Sequence, residues 1–290
     1  MKIGIVGLGR MGAAMSERLR SQGFEVVGWD LNADANEKLA ADGLPIAANA
    51  CAVAAESEII ISSITEDHGV RRIFSGAEGF LQADVNGKLF IEMSTLQPMT
   101  GREMSPLVEA RGARLIEAPV LGTIPQVRAG TLFAMVGGRT EDLVRACVVL
   151  DKMTRRILGP HGTGYAMKLA ANVGLGAYVQ AIAESLALGM RQGLALQQMV
   201  DALQESATAC GWLKSKAGVL LGEAAEMTLD IRTLRKDIMS AVATGAITGV
   251  PMPLSAGTLA SLSAAIDGDY GSGDIAELPK FFREAMLQSF

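Results

Sequence analysis

Cysteine is scarce and scattered in this 290-residue chain. Cys51, Cys147 and Cys210 lie far apart, with neither a CxxC pair nor a Cys/His spacing. That pattern excludes a disulfide framework and a zinc site, and all three read as reduced thiols in or near packed helices. Histidine is scarcer still: His68 and His161 carry no metal-ligand spacing and read as surface residues that the fold does not need. No cluster of Lys and Arg runs along the chain, and the net charge is −5, which argues against nucleic acid as a partner. Internal repeats and low-complexity tracts are also missing. Met1-Lys2-Ile3-Gly4-Ile5-Val6 reads at once as a buried strand, so no signal or transit peptide is expected ahead of the fold. The most apolar stretch, 169–190, is interrupted by Asn172, Gln180, Glu184 and glycines. A bilayer-spanning helix needs about 20 nearly uninterrupted apolar residues. A helix buried in protein is expected there instead, in a cytoplasmic chain with no membrane partner.

What is present is a globular composition, 49% apolar and 20% charged, in a chain long enough for two domains. Short apolar runs at 2–6, 25–29, 58–62, 88–92, 114–117, 132–136 and 154–157 alternate with helical spacing at 11–21, 33–41, 99–110 and 140–150. Continuous apolar strands alternating with helices imply a parallel sheet covered on both faces. Beyond about residue 164 the strand signals stop. Helices are expected from 165 to about 192, then at 196–206, 211–222, 229–248, 253–267 and 273–288, with Gly- and Pro-containing breaks between them.

Gly7-Leu8-Gly9-Arg10-Met11-Gly12 is a GxGxxG sequence placed after a strand and opening a helix. Gly7 permits the tight turn, Gly9 lets amides approach a pyrophosphate, and Gly12 lets helix pack on strand. The helix amino terminus adds unpaired N–H groups and a favourable dipole. By itself this pattern is weak. Asp30 strengthens it, standing about twenty residues on at the end of the next strand, where a carboxylate meets the adenosine ribose. The architecture is therefore α/β: a Rossmann-like dinucleotide-binding domain over 1–162, then an all-helical domain over 163–290 for substrate binding and dimerisation. Asp30 repels a 2′-phosphate and 31–34 offers no arginine, which favours NAD. Arg10 in the glycine loop is the cation that keeps NADP open.

Along nearly its whole length the sequence resembles the β-hydroxyacid dehydrogenase family, relatives of 3-hydroxyisobutyrate dehydrogenase and of glyoxylate and succinic semialdehyde reductases. Met11 and Met15 complete the opening GLGxMGxxM motif. Ser94-Thr95-Leu96-Gln97-Pro98 matches Ser-Thr-x-x-Pro, and Glu117-Ala118-Pro119-Val120-Leu121-Gly122-Thr123 matches the substrate loop. Gly130-Thr131-Leu132 and Val136-Gly137-Gly138 follow. Gly162-Thr163-Gly164 through Lys168 to Asn172 matches the catalytic GxGxxxKxxxN, and Lys236-Asp237 the Lys-Asp pair near the carboxyl terminus. The resemblance implies cofactor contacts from Gly7, Leu8, Gly9, Arg10, Met11, Gly12, Asp30, Thr95 and Lys236. It implies substrate contacts from Ser94, Leu121, Gly122, Thr123, Asn172, Leu229 and Asp237, catalysis by Lys168 and Asn172, and no metal.

Lys168 and Asn172 stand at i and i+4, on one helix face. A lysine at a domain junction can hydrogen-bond a substrate oxygen and exchange its proton while hydride moves to or from nicotinamide; burial would tune it. Asn172 can hold the same oxygen or orient the ammonium. Plainer roles stand beside each assignment: a snorkelling lysine, a satisfied helix amide, hydroxyls at Ser94 and Thr95 that cap the helix after Pro98, a solvated pair at Lys236-Asp237.

Three departures bear on substrate. Leu121 stands where many relatives have a serine, with Thr123 as a partial substitute; Ala171 precedes Asn172 where relatives often have a second asparagine; and Leu229 stands where several have phenylalanine. The expected reaction is hydride transfer between NAD, or NADP, and a small hydroxy acid and its aldehyde or keto acid, in a cleft between the domains of a homodimer or homotetramer. Leu121 and Leu229 suit a larger or less polar substrate. An imine reductase on the same architecture is the nearest rival, although such relatives usually replace the lysine. A non-catalytic dinucleotide-binding scaffold is the other, and intact Lys168 and Asn172 oppose it.

Overall fold

The apolar runs of the amino-terminal half pair into an eight-stranded sheet. Its strands are β1 (Lys2–Val6), β2 (Glu25–Trp29), β3 (Ile59–Ser62), β4 (Leu89–Glu92), β5 (Arg114–Glu117), β6 (Val120–Leu121), β7 (Leu132–Gly137) and β8 (Thr154–Gly159). The computed structural model describes residues 1–225 and 227–287. The chain divides into one compact unit spanning Met1–Leu169 and a second that begins at Ala170.

In the first unit β2, β1, β3, β4 and β5 lie side by side and parallel. The helices are α1 (Arg10–Ser21), α2 (Ala33–Ala41), α3 (Ala50–Glu56), α4 (Asp67–Ser75), α5 (Pro98–Glu109), α6 (Ile124–Ala129) and α7 (Thr140–Met153). Side chains alternate between the sheet's faces along each strand. Ile3, Ile5, Ile61, Leu89 and Ile91 pack on one side with Met15 and Leu19 of α1 and Val149 and Leu150 of α7. Val6, Ile60, Phe90 and Leu115 pack on the other with Phe74 and Val108. Burial on both faces explains why these strands read as unbroken apolar runs.

The expectation of a parallel sheet fails at its far end. β5 breaks at Ala118-Pro119 and resumes as β6, and both flank β7 in antiparallel register, Glu117 opposite Gly137 and Leu121 opposite Phe133. β8 then lies parallel to β7. Connection length decides both directions. The short α6 lets β7 fold straight back, whereas the 14-residue α7 makes a full crossover to β8.

The longest helix, α8 (Thr163–Arg191), begins in the first unit and ends in the second, with the boundary inside it. It is long and apolar enough by length and composition to cross a membrane, with a mean hydropathy of 1.3 in its richest window, of which 39% is buried. The second unit adds α9 (Leu196–Glu205), α10 (Gly211–Leu220), α11 (Ile231–Thr248), α12 (Pro253–Asp267) and α13 (Leu278–Leu287). Val179 and Ala183 of α8 pack with Leu234 and Ile238 of α11 and Leu262 of α12. The last element departs from the expected 273–288 helix. Asp274 caps a 3-10 turn, Ile275–Glu277, before α13 starts, and Gln288 lies outside the described residues. The same Asp274 accepts a 2.6 Å hydrogen bond from buried Lys216 of α10. All three cysteines are free.

Candidate active site

The turn from β1 into α1 is shaped by contacts that only glycine tolerates. Gly7 has φ +93°, and a Cβ there would stand 2.2 Å from the Ser63 carbonyl oxygen; a Cβ on Gly12 would stand 1.8 Å from the Gly7 oxygen. Gly9 faces open space, with nothing within 4 Å of its would-be Cβ. It is also the N-cap of α1, with no side-chain cap and no acid in the first turn. A helix start with no capping side chain and no acid of its own suits a bound pyrophosphate. Arg10 is exposed beside them, while Met11 is half-buried against the core.

Asp30 is fixed in place rather than waving at the end of β2. Its Oδ2 accepts from the Leu8 N–H at 2.5 Å and its Oδ1 from the Asn32 N–H at 2.8 Å. Asn36 grips its backbone, accepting from the Asp30 N–H at 2.8 Å and donating to the Asp30 carbonyl at 2.7 Å. Each carboxylate oxygen keeps a second acceptor direction for a ribose hydroxyl. Beside it opens a cavity of about 330 Å³ lined by Trp29, Leu31, Ile64, Ile73, Arg72 and Glu78. Ile64, Arg72, Ile73 and Glu78 carry no motif in the sequence. They come from the segment after β3, from α4 and from the turn beyond it, and no local pattern links them. Apolar walls with one guanidinium suit a flat aromatic base.

The segment after β4 is pinned from beneath. The buried Glu92 carboxylate accepts from the Ser62 hydroxyl and, at 2.7 Å, from the Ser94 N–H. Burial pushes its pKa up to about 7, against the pull of Ser62 and Ser94, with Asp67 adding to the rise. The Ser94 hydroxyl, the substrate contact expected from the sequence, is buried and accepts from the Ile64 N–H at 2.7 Å. Thr95 is half-buried. Neither hydroxyl caps α5, whose N-cap is Gln97. Asp67 holds the far side of the segment, accepting from the Gln97 N–H at 3.0 Å and from the Thr100 hydroxyl.

In the substrate loop Leu121 is half-buried in β6 and Gly122 is exposed. Thr123 is committed locally: its N–H donates to Gln126 Oε1 at 2.8 Å and its hydroxyl to the same oxygen. It is thus the N-cap of α6, with its hydroxyl turned to Gln126. Glu117, which opens the loop, is 1% exposed and turns its carboxylate toward the start of α8. It accepts from the N–H groups of Gly162 at 2.7 Å, Gly164 at 3.1 Å and Tyr165 at 3.3 Å. The His161 ring joins it at 3.0 Å. The expectation that the fold has no need of this histidine is therefore corrected. Its side chain, 30% exposed, is one wall of the Glu117 cage. Lys168 follows one helical turn beyond Gly164, half-buried.

The second unit gathers Asn172, Lys236 and Asp237. Asn172 Nδ2 donates to Asp237 Oδ2 at 2.6 Å, and Lys236 Nζ lies 2.7 Å from Asp237 Oδ1. Asp237, expected at the substrate, is only 2% exposed and pairs with both neighbours. Leu229 is half-buried in a cluster that includes Trp212, a neighbour the sequence did not flag. Among the described residues no group of His, Cys, Asp or Glu could hold a metal ion.

The family model described as the NAD binding domain of 6-phosphogluconate dehydrogenase matches residues 2–162. A second, described as NAD-binding of NADP-dependent 3-hydroxyisobutyrate dehydrogenase, matches residues 162–282. The 3-hydroxyisobutyrate dehydrogenase of Pseudomonas aeruginosa is 31% identical over 97% of this chain and 98% of its own length. The chain belongs to the β-hydroxyacid dehydrogenase family. It is an NAD(P)-dependent oxidoreductase acting on a CH–OH group. The family's glyoxylate/succinic semialdehyde reductase 1 of Arabidopsis thaliana is 26% identical over 98% of this chain and 100% of its own. The solved 3-hydroxyisobutyrate dehydrogenase of Mycobacterium tuberculosis with L-serine superposes with a TM-score of 0.85 at 29% identity, over 97% of this chain and 99% of that one. An imine reductase of Myxococcus stipitatus in complex with NADP+ shares the fold, with a TM-score of 0.67 at 15% identity over 97% of this chain and 99% of that one. At that identity it shows architecture alone.

Proposed function

We propose that the enzyme exchanges a hydride between NAD, in preference to NADP, and a small hydroxy acid paired with its aldehyde or keto acid, with Lys168 as general acid/base. The observation that carries this is the state of Asn172, at i+4 from Lys168 on α8. Its amide nitrogen is spent on Asp237, which leaves Oδ1 as the acceptor that can orient a lysine ammonium. Bound nicotinamide gives or takes the hydride at the substrate carbon. In reduction Lys168 donates a proton to the carbonyl oxygen as its electron pair moves there, and in oxidation it accepts the alcohol proton.

Support for NAD is Asp30, held in place with acceptor capacity to spare for a 2′-hydroxyl. One observation favours NADP as a second reading: Arg72 lines the cavity beside Leu31, where it could meet a 2′-phosphate. The substrate we infer carries a larger or less polar group than 3-hydroxyisobutyrate, glyoxylate or succinic semialdehyde, named for the relatives above. Support lies in Leu121 and in Thr123, whose hydroxyl is turned to Gln126. A homodimer or homotetramer is supported by the exposed Ile247, Val250 and Leu254 of the second unit. A cytoplasmic location accords with the free thiols.

Absorbance of the reduced nicotinamide tests the proposal, with NADH and NADPH offered separately against glyoxylate, succinic semialdehyde and longer aldehydes. Turnover that falls about 10²- to 10⁴-fold in Lys168→Ala establishes the role of the lysine. Full activity in that variant sinks it. Tight cofactor binding without turnover on the whole panel would move the assignment to imine substrates.

A further inference from the structure

We propose that Glu117 is a positioning residue for the reaction, which rests on Lys168 acting as described above: with the His161 ring against it, its carboxylate sets the amino-terminal turn of α8, and so Lys168, in register with the substrate loop. Strand β5 ends at Glu117 and continues through Ala118-Pro119 into Leu121 and Gly122. The side chain of the same residue grips the helix that carries Lys168. One residue therefore joins the two segments that must face the same substrate.

The grip is a built cage. Three backbone N–H groups point at the two oxygens, from Gly162, Gly164 and Tyr165. The first turn of α8 contains no acid of its own, so the carboxylate that answers its dipole comes from β5. Two glycines keep the space open. A Cβ on Gly137 would stand 3.0 Å from Glu117 Oε2 and 2.9 Å from the Pro160 oxygen. A Cβ on Gly164 would stand 2.6 Å from the Met135 oxygen and 3.1 Å from the Glu117 Cβ. Three segments that looked separate in the sequence, at Glu117, at Val136-Gly137-Gly138 and at Gly162-Thr163-Gly164, thus close around one carboxylate. A buried carboxylate persists only where its acceptor capacity is met, and charge-assisted bonds to backbone N–H groups are among the stronger and more directional ones.

His161 makes the cage responsive to pH. Its hydrogen bond to Glu117 raises its pKa; burial opposes that, the charges of Glu117 and of Glu109 on α5 add to it, and Arg102 on α5 subtracts. Below that pKa the ring is an imidazolium and its bond to Glu117 is charge-assisted. Above it the ring is neutral and the bond weakens.

The test compares Glu117→Gln, Glu117→Asp, His161→Gln and Lys168→Ala, using the aldehyde from the panel with the highest wild-type turnover. Glu117→Gln should lower kcat about 10- to 100-fold, in line with the cost of misplacing a reacting group by about an ångström, with the dissociation constant for the cofactor unchanged. Removing a negative charge one turn from Lys168 also makes the ammonium less favourable. The lysine limb of the kcat–pH profile should therefore move toward acid, and Glu117→Asp should bring it back. A residue that only held the fold together would lower the melting temperature and leave that limb in place. Wild-type kcat and an unmoved limb in Glu117→Gln, with Lys168→Ala inactive, overturn the proposal. Activity in Lys168→Ala instead overturns the role given to the lysine. Should Glu117→Gln fail to fold, His161→Gln decides, since its ring lies at the surface of the cage. A severalfold loss of kcat at pH 6 that closes by pH 9 supports the proposal, and an unchanged kcat or a loss constant with pH overturns it.

Discussion

Glu92 and Glu117 both sit at the carboxyl edge of the sheet, yet their surroundings ask different things of them. Glu117 is met by three amides and an imidazole. Glu92 has the Ser62 hydroxyl and the Ser94 amide, and deep burial raises its pKa from 4.5 to about 7. A carboxyl in an unfolded chain titrates near pH ~4.3. Between there and about 7 the folded protein therefore holds a proton that the unfolded chain has lost, and stability falls as pH rises through that window. Glu92→Gln keeps an acceptor for Ser94 and removes the charge. We expect denaturant titrations of the variant to show a flatter stability profile between pH 4.5 and 7, by up to about 3 kcal/mol at the upper end. A profile parallel to wild type would show that Glu92 does not titrate there. Neither carboxylate was legible in the sequence as a working residue. Gly7, Asp30, Lys168 and Asn172 stand out as candidates because motif spacing carries them. Glu117 works through backbone amides far along the chain, and backbone amides leave no trace in residue identity.

At the scale of elements, apolar runs located the strands but not their direction. The sense of β7 and β8 is set by the lengths of α6 and α7, and the break at Ala118-Pro119 that makes β6 looked like plain loop. Helices of the second unit were legible to within a turn except at the carboxyl end. There, Lys216 on α10 and Asp274 before α13 form a buried pair with side chains 5% and 6% exposed. Burial alone would raise the Asp274 pKa. The hydrogen bonds from Lys216, Ala276 and Thr228 outweigh it and hold the pKa low. The stability this carboxylate contributes is present above its unfolded pKa and lost as pH falls through the lowered folded value. Lys216→Met leaves the carboxylate buried without its cation and should cost about 3–5 kcal/mol in urea unfolding at pH 7. Adding Asp274→Asn should recover most of that loss while still capping the turn. A single variant as stable as wild type would mean that the pair is dispensable.

Both units leave some large apolar side chains outside, Leu31 and Val144 in the first among them, and in the second unit three such residues lie close together in the chain. Ile247, Val250 and Leu254 are 66%, 55% and 61% exposed around the end of α11 and the start of α12. If they form a subunit contact, Ile247→Asp with Leu254→Asp should reduce the sedimenting mass to that of one 30.3 kDa chain. An unchanged mass would place the contact elsewhere. The seam between the units also bears on how such a chain can be recombined with its relatives. Family models hand over at residue 162, whereas the compact units meet between Leu169 and Ala170, inside α8 and between Lys168 and Asn172. A chimera joined at the compact boundary would draw the lysine from one parent and the asparagine from the other. A junction at 162 keeps both from the same parent, and the Glu117 cage is suited to accept the foreign helix. What the cage recognises is peptide N–H, which every parent supplies. The side-chain requirements beside the splice are therefore glycines at 162, where φ is +95°, and at 164, and a ring at 165 that fits the first unit's core.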